Sequence, residues 1–322
     1  MATSGDTTFN LTTTEIIQEA LELIGVVGIG QSVNSEDYVT CLRSLNMMVK
    51  SWQQEGIFIT HEAEATVFLV PGTQQYVLGG TSASRTGKDP VLENKTTSDL
   101  VATDTTVNLS TTVGMTALDD IGIVMDDGDV HWTTIASITD SNTLELTVAI
   151  TGAANTGNYV FSYTNEMGRP LEISYVLMRN AGGTADSLTS SLSERKLQEV
   201  GKGQYKGLYN KGIQGTPVMF YQEKGNTSTN LYVWPTASNV SERLKVTYKR
   251  IIEDFDNTSD VADLPANSAS CLAYNLAAYV APKYGKEQKA AQAVAPIASS
   301  LLNSLRSDLQ EKTKLKIVPR NQ

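Results

Sequence analysis

Between Asn34 and Ile57, the side chains Tyr38, Leu42, Leu45, Val49 and Trp52 recur at steps of three and four. That spacing puts them on one face of a helix. Asn34 or Ser35 stands where an N-cap is wanted, and Glu36 and Asp37 meet the positive end of the helix dipole. Gly56 supplies a residue that accepts a left-handed C-terminal turn. The segment is bounded by its own residues and ends in an indole that has to find apolar partners. Upstream, Thr12 and Glu15 have capping-box spacing. Ile16, Ile17, Ala20, Leu21 and Ile24 form a second stripe, ended by Gly25, Gly28 and Gly30. Two such helices with a short loop between them predict an antiparallel pair.

From Ala63 the period changes to two. Thr66–Val70, the Pro71-Gly72 pair and Gln75–Leu78 predict a hairpin. Residues 95–164 predict an inserted β-domain with strands near 100–109, 121–125, 130–138, 143–149 and 158–164. Within it, Asp126-Asp127-Gly128-Asp129 between two alternating runs predicts a second hairpin. A strand is expected at 171–178, another at 186–192, and a short helix at Ser193–Val200. Residues 202–215 read as a Gly- and Lys-rich loop, before strands at 217–223, 230–235 and 243–250 that join one sheet with the earlier pieces. Two helices close the chain: 267–284, burying Leu272, Leu276 and Tyr279, and 286–313, interrupted by Pro296.

These elements predict an α+β protein whose N- and C-terminal helices form a helical bundle core, with a central antiparallel β region and an inserted small β-domain. The expected divisions are a helical hairpin at 1–62, a central β region at 63–94 with 165–262, and the insert at 95–164. The C-terminal helices at 263–313 complete the bundle, and 314–322 form an extended tail.

The 322 residues carry a net charge of −10, unevenly placed. Residues 89–166 hold 1 basic and 12 acidic side chains, whereas 167–322 hold 20 basic and 14 acidic. This balance argues against DNA binding by broad phosphate neutralisation. No run of 18 apolar residues and no basic start followed by an apolar stretch is present, so neither a membrane span nor a signal peptide is expected. Cys41 and Cys271 fall on separate predicted helices, which fits a reducing compartment.

Catalytic signals are sparse. His61 and His131 are the two histidines, and neither has a Cys or His neighbour at zinc-ligand spacing. No Gly-x-Ser-x-Gly and no phosphate-binding loop occurs. Asp126, Asp127 and Asp129 lack full EF-hand spacing and read as turn residues. The expectation is a protein that is not an enzyme and takes no metal or cofactor.

Several separated motifs then fall into one order: Ala20-Leu-Glu-Leu-Ile-Gly25, Trp52-Gln-Gln-Glu-Gly56, Pro71-Gly72-Thr73-Gln74-Gln75-Tyr76 and His131-Trp132-Thr133-Thr134. After them come Arg169-Pro170-Leu171, Gly215-Thr216-Pro217, Leu231-Tyr232-Val233-Trp234-Pro235, Ile252-Glu253-Asp254-Phe255-Asp256 and Ala281-Pro282-Lys283-Tyr284-Gly285. In this order, from about 12 to 312, the chain resembles the head-to-tail adaptors of short-tailed bacteriophages, also called tail accessory factors or packaged-DNA stabilisation proteins.

The resemblance implies a dodecameric ring beneath the portal protein, closing the DNA-filled head and offering a platform for tail nozzle and fibres. It implies a virion protein assembled in the host cytoplasm, without membrane contact, through whose channel duplex DNA passes without specific binding. In relatives the C-terminal tail enters the portal. Here Lys312, Lys314, Leu315, Lys316, Ile317 and Val318 are the corresponding candidates, and Leu315–Val318 has the pattern to add a strand to a portal sheet. The insert is expected outside, with Asp126, Asp127 and Asp129 as a tail or fibre contact. Two further readings are a carbohydrate- or host-binding tail protein, with Trp132, Tyr159 and Tyr163 as stacking residues, and a cell-wall hydrolase.

Overall fold

A computed structural model describes residues 10–56, 62–80, 84–181, 192–265 and 268–308. The chain divides into two compact units, Met1–His61 with Ile252–Gln322, and Glu62–Ile251. In the first, α1 (Thr13–Ile24) starts at a complete capping box and ends at Gly25, whose φ is 72°. Helix α2 (Ser35–Gln54) starts at Asn34, whose side chain accepts from the Asp37 N–H at 2.8 Å. Each cap satisfies backbone donors that the first helical turn leaves open.

The second unit is built from strands. β1 (Glu62–Phe68) leads through a turn at Pro71-Gly72 to β2 (Gln75–Leu78), followed by the short β3 (Thr86–Lys88). The insert supplies β4 (Leu92–Lys95), β5 (Thr106–Asn108), β6 (Asp120–Val124), β7 (Val130–Ile138), β8 (Thr143–Leu146) and β9 (Tyr159–Tyr163). After it come β10 (Pro170–Ala181), β11 (Leu192–Lys196), β12 (Gln198–Glu199) and a one-turn helix α3 (Lys202–Lys206). The unit closes with β13 (Met219–Lys224), β14 (Thr229–Trp234) and β15 (Glu242–Arg250).

Three sheets result, ordered β11-β10-β15-β1-β3, β12-β13-β14-β2 and β4-β9-β6-β7-β8-β5. The first two form a sandwich. Alternate residues Leu244, Val246 and Tyr248 of β15 and Ala65 and Val67 of β1 share one core with Phe220, Leu231 and Val233 of the facing sheet. The six-stranded sheet encloses a core of its own, with Ile121, Ile123, Ile135, Leu144 and Val160 at its centre.

The chain returns to the first unit with α4 (Ala269–Val280), α5 (Glu287–Lys289) and α6 (Ala295–Asp308). Leu272 and Leu276 of α4 join Ile17, Leu21, Leu45 and Trp52 in one apolar cluster. Asn46 and the Phe255 backbone exchange two hydrogen bonds, at 2.9 and 3.0 Å, and so tie α2 to the segment that precedes α4. Residues Ala290–Val294 take a π turn just ahead of Pro296. Such widened turns are a known way for a helix to accommodate a residue that cannot donate to the ladder.

This architecture corrects the expected fold class. A bundle of N- and C-terminal helices is not the core of the molecule: fifteen strands in three sheets build the larger unit around cores of their own, and most of the helices lie in the other unit. The strands of residues 62–251 bury their apolar faces against one another and need no helix to cover them.

Four local expectations change as well. Thr73 N–H does bond to Val70 C=O at 3.0 Å across Pro71-Gly72, but β1 and β2 are not paired; the turn carries the chain from one layer of the sandwich to the other. The strands after the insert divide between two sheets instead of joining one. Residues 193–196 and 198–199 are in strands where a helix was expected at Ser193–Val200, because β10 and β13 offer them open ladders, and of the strand expected at 186–192 all but Leu192 lies outside the described residues. Tyr279 is 43% exposed, not buried.

Candidate functional site

The hairpin expected at Asp126-Asp127-Gly128-Asp129 is formed. β6 and β7 pair up to Val124 and Val130, and Gly128, at φ 91°, donates to the Met125 carbonyl at 3.1 Å. A side chain other than glycine is strained in that backbone conformation. The turn separates its three carboxylates. Asp126 faces back into the insert, accepting from Asn155 N–H at 3.0 Å and Asn158 Nδ2 at 2.8 Å. Asp127 accepts from the Asp129 N–H at 3.0 Å, and both line a cleft of about 460 Å³ with Arg85, His131 and Trp132.

The floor of the cleft belongs to the sandwich. Tyr76 is almost wholly buried there, its hydroxyl accepting from Val70 N–H at 2.9 Å and donating to Val70 C=O at 3.1 Å. Burial pushes this phenol up to about 12, against the lowering effect of the backbone bond. His131 Nδ1 lies 3.4 Å from Thr151 Oγ1, and its Nε2 is buried without a hydrogen-bond partner among the described residues. The cleft combines an apolar floor with charges of both signs, the composition of a binding surface for a mixed ligand.

Behind the cleft, rings from two sheets interlock. Phe68 of β1 meets Trp132 of β7 edge to face at 4.8 Å and lies 5.2 Å from Phe161 and 6.0 Å from Tyr163, both of β9. Such contacts add to the stabilisation from burial alone. Arg85 stands 5.5 Å over the Trp132 ring and pairs with Asp120 at 3.1 Å. Two glycines make room: a Cβ at Gly122 would come within 2.6 Å of the Trp132 ring, and one at Gly87 within 2.7 Å of Tyr163. Burial raises the Tyr163 hydroxyl to about 12.

Trp132, Tyr159 and Tyr163 are therefore packing residues. Tyr163 is buried, Trp132 and Tyr159 are half-buried, and Lys95 covers the Tyr159 ring at 4.7 Å. Beneath them lies a charged contact that the sequence pattern did not announce. Arg243 of β15 is fully buried, 3.0 Å from Glu93 of β4 and 4.4 Å over the Phe161 ring. Its alternation with Leu244 and Val246 marks it only as facing away from the sandwich core, and nothing local shows that a second sheet covers that face.

Lys312, Lys314, Leu315, Lys316, Ile317 and Val318 lie outside the described residues, as does His61. Among the described residues no group of three His, Cys, Asp or Glu side chains is placed to hold a metal ion, and no helix is long and apolar enough to cross a membrane.

No curated protein matches the sequence. The model of one family, SU10 adaptor protein, matches residues 131–316. That range begins in β7 beside the cleft and takes in the sandwich strands β10–β15 and the C-terminal helices, more than half of the chain. The protein belongs to the SU10 adaptor family, a family of phage adaptor type.

Proposed function

We propose that this adaptor joins head to tail in the phage particle. In this reading it forms a dodecameric ring beneath the portal protein, holds the DNA-filled head closed and presents a platform for tail nozzle and fibres. The observation that carries the reading is the family match over residues 131–316. The order of motifs along the chain, which is that of head-to-tail adaptors, supports the finer assignment.

The helical unit also supports it. Although its core is closed, Val39, Met47, Tyr279 and Ile297 are 43–54% exposed on α2, α4 and α6, giving neighbouring subunits apolar side chains to cover. The basic tail, with Lys312, Lys314, Leu315, Lys316, Ile317 and Val318, enters the portal, and Leu315–Val318 adds a strand to a portal sheet. The Asp127–Asp129 side of the cleft faces tail nozzle or fibre proteins. Assembly takes place in the host cytoplasm, the role needs no catalysis, and the finished protein stays in the virion at the head-to-tail junction.

Electron microscopy of the purified protein, alone and with its cognate portal ring, tests this. A twelve-fold collar that appears only with portal is the expected result. Failure to associate, or a trimer formed without portal, would remove the assignment. Deleting 312–322 should abolish portal binding while the thermal melt stays unchanged; retained binding would rule out the tail as the contact.

A further inference from the structure

The outer face of the four-stranded sheet is covered by residues 201–216, and that cover differs in charge from the rest of the β unit. Tyr205 of α3 stacks on Tyr221 at 5.9 Å and on Tyr232 at 5.4 Å, and those two rings face each other across β13 and β14. Trp234 Nε1 donates to the Asn210 carbonyl at 2.7 Å. Lys211 Nζ donates to the Lys206 and Leu208 carbonyls, both at 3.0 Å, and so closes the loop on itself. The loop is anchored to a rigid sheet.

Outward it presents a fully exposed Tyr209 together with the exposed Lys202 and Lys206, beside the half-buried Lys211 that closes the loop, and residues 201–216 contain no acidic side chain. On the five-stranded sheet, Arg179, Arg243, Lys245 and Lys249 are each held by a carboxylate. Lys202 is paired with Glu223, but Lys206 and Lys211 have no such partner among the described residues. Open space surrounds the position a side chain would take at Gly201 and Gly203, leaving the backbone there approachable.

We propose that this loop is a sequence-independent contact for the phosphate backbone of duplex DNA. Lysines supply point charges, the Tyr209 phenol a hydrogen-bond donor, and none of them reads a base. The proposal rests on the reading of the chain as an adaptor through which DNA passes. The acidic stretch 89–166 repels phosphate, so a contact has to be confined to a local positive surface such as this one.

The test is fluorescence anisotropy of a labelled duplex with the full-length protein over a series of salt concentrations. The triple variant Lys202→Gln/Lys206→Gln/Lys211→Gln should lower the slope of log affinity against log salt by about one unit for each phosphate left without its lysine. Lys206→Gln alone, whose exposed side chain makes no hydrogen bond or salt bridge among the described residues, should lower it by about one unit and guards against a folding defect. Neutralising Lys312, Lys314, Lys316 and Arg320 instead should leave the loop's share of the slope intact. A triple variant with the wild-type slope, or no binding by the wild type at the lowest salt, overturns the contact. Displacement of the duplex by polyglutamate, charge for charge, overturns it in favour of an acidic protein surface. Portal collars imaged from the same samples separate the two ideas. A collar with unaltered DNA affinity in the triple variant sinks the contact alone, and no collar from the wild type sinks the adaptor reading beneath it.

Discussion

Glu93 and Arg243, 150 residues apart in the chain, meet at 3.0 Å between the inserted sheet and the sandwich. Arg243 lies directly opposite Arg179 on the neighbouring strand β10, a like-charge pair that repels on its own. Glu93 resolves it by standing 3.5 Å from Arg179 as well, and Arg179 is held further by Glu194 at 2.6 Å. Loss of water presses the Arg243 pKa below its ordinary value, and Glu93 pulls in the opposite direction. Arg243 Nε and Nη1 have no hydrogen-bond partner among the described residues, and the Phe161 ring face is the neighbour that takes up part of the charge.

Removing the carboxylate leaves that guanidinium buried and uncompensated. Glu93→Ala should therefore cost about 3–5 kcal/mol in urea unfolding, far more than removal of the exposed Arg306–Glu55 pair, at about 0–1 kcal/mol. The double variant Glu93→Leu/Arg243→Met should regain most of that stability, since it removes both charges. A double variant as unstable as Glu93→Ala would show that the ion pair is not the cause.

Gly122 lies under the Trp132 ring, and Gly128 stands in open space at positive φ. Gly122→Ala drives a methyl group into the indole, so the ring has to move and the aromatic cluster with Phe68 loosens. Overpacking of this kind costs about 1–3 kcal/mol, and tryptophan fluorescence should report the displacement. Gly128→Ala meets no atom and should cost only the backbone strain, about 1 kcal/mol, without a change in emission. Equal effects on emission would refute the assignment of Gly122 to ring clearance.

Acid should destabilise the fold through carboxylates held below their ordinary range. The Thr12 backbone and hydroxyl do this for Glu15, a hydrogen bond from Lys249 for Glu172, and the Asn257 and Asp256 N–H groups for Asp260. A depressed folded pKa gives stability that is complete above the unfolded value and lost as pH falls through the folded one. The melting temperature should thus stay level down to the ordinary values of 4.5 for Glu and 3.8 for Asp and fall below them. Glu172→Gln should flatten the fall; an unchanged acid limb would show that Glu172 does not contribute to it.

At the alkaline end, burial holds the phenols of Tyr76 and Tyr163 up at about 12. A raised pKa of a neutral acid contributes stability below the unfolded value of 10.0, lost as pH rises through the folded one. Tyrosinate absorbance should rise late for these two rings, and Tyr76→Phe should remove part of that late step. A step completed near pH 10 would contradict the burial of both hydroxyls.

Much of the local structure was legible in the residues alone. The capping box at Thr12 and Glu15, the Asn34 cap, the left-handed glycines at 25 and 56 and the hairpin at Gly128 all depend on residues within a few positions of one another. Backbone sterics and short-range hydrogen bonds act there without help from the rest of the chain. The apolar stripes of α1 and α2 were legible for the same reason, since periodicity states which face has to be covered.

What covers each face was decided only by the tertiary structure. The alternation of β15 marks Leu244, Val246 and Tyr248 as one side and Arg243, Lys245 and Thr247 as the other, and both patterns look alike whether the second side meets water or another sheet. Partner choice is equally non-local: β1 and β2 share a well-formed turn yet pair with β15 and β14, and residues 192–199 are drawn into strands by ladders already open beside them. Local sequence determined the turns, caps and apolar faces. The pairing of distant strands, which lets the β unit close its own cores and buries Arg243 against Glu93, is a property of the assembled sheets, because hydrogen-bond ladders and excluded water have no fixed distance along the chain.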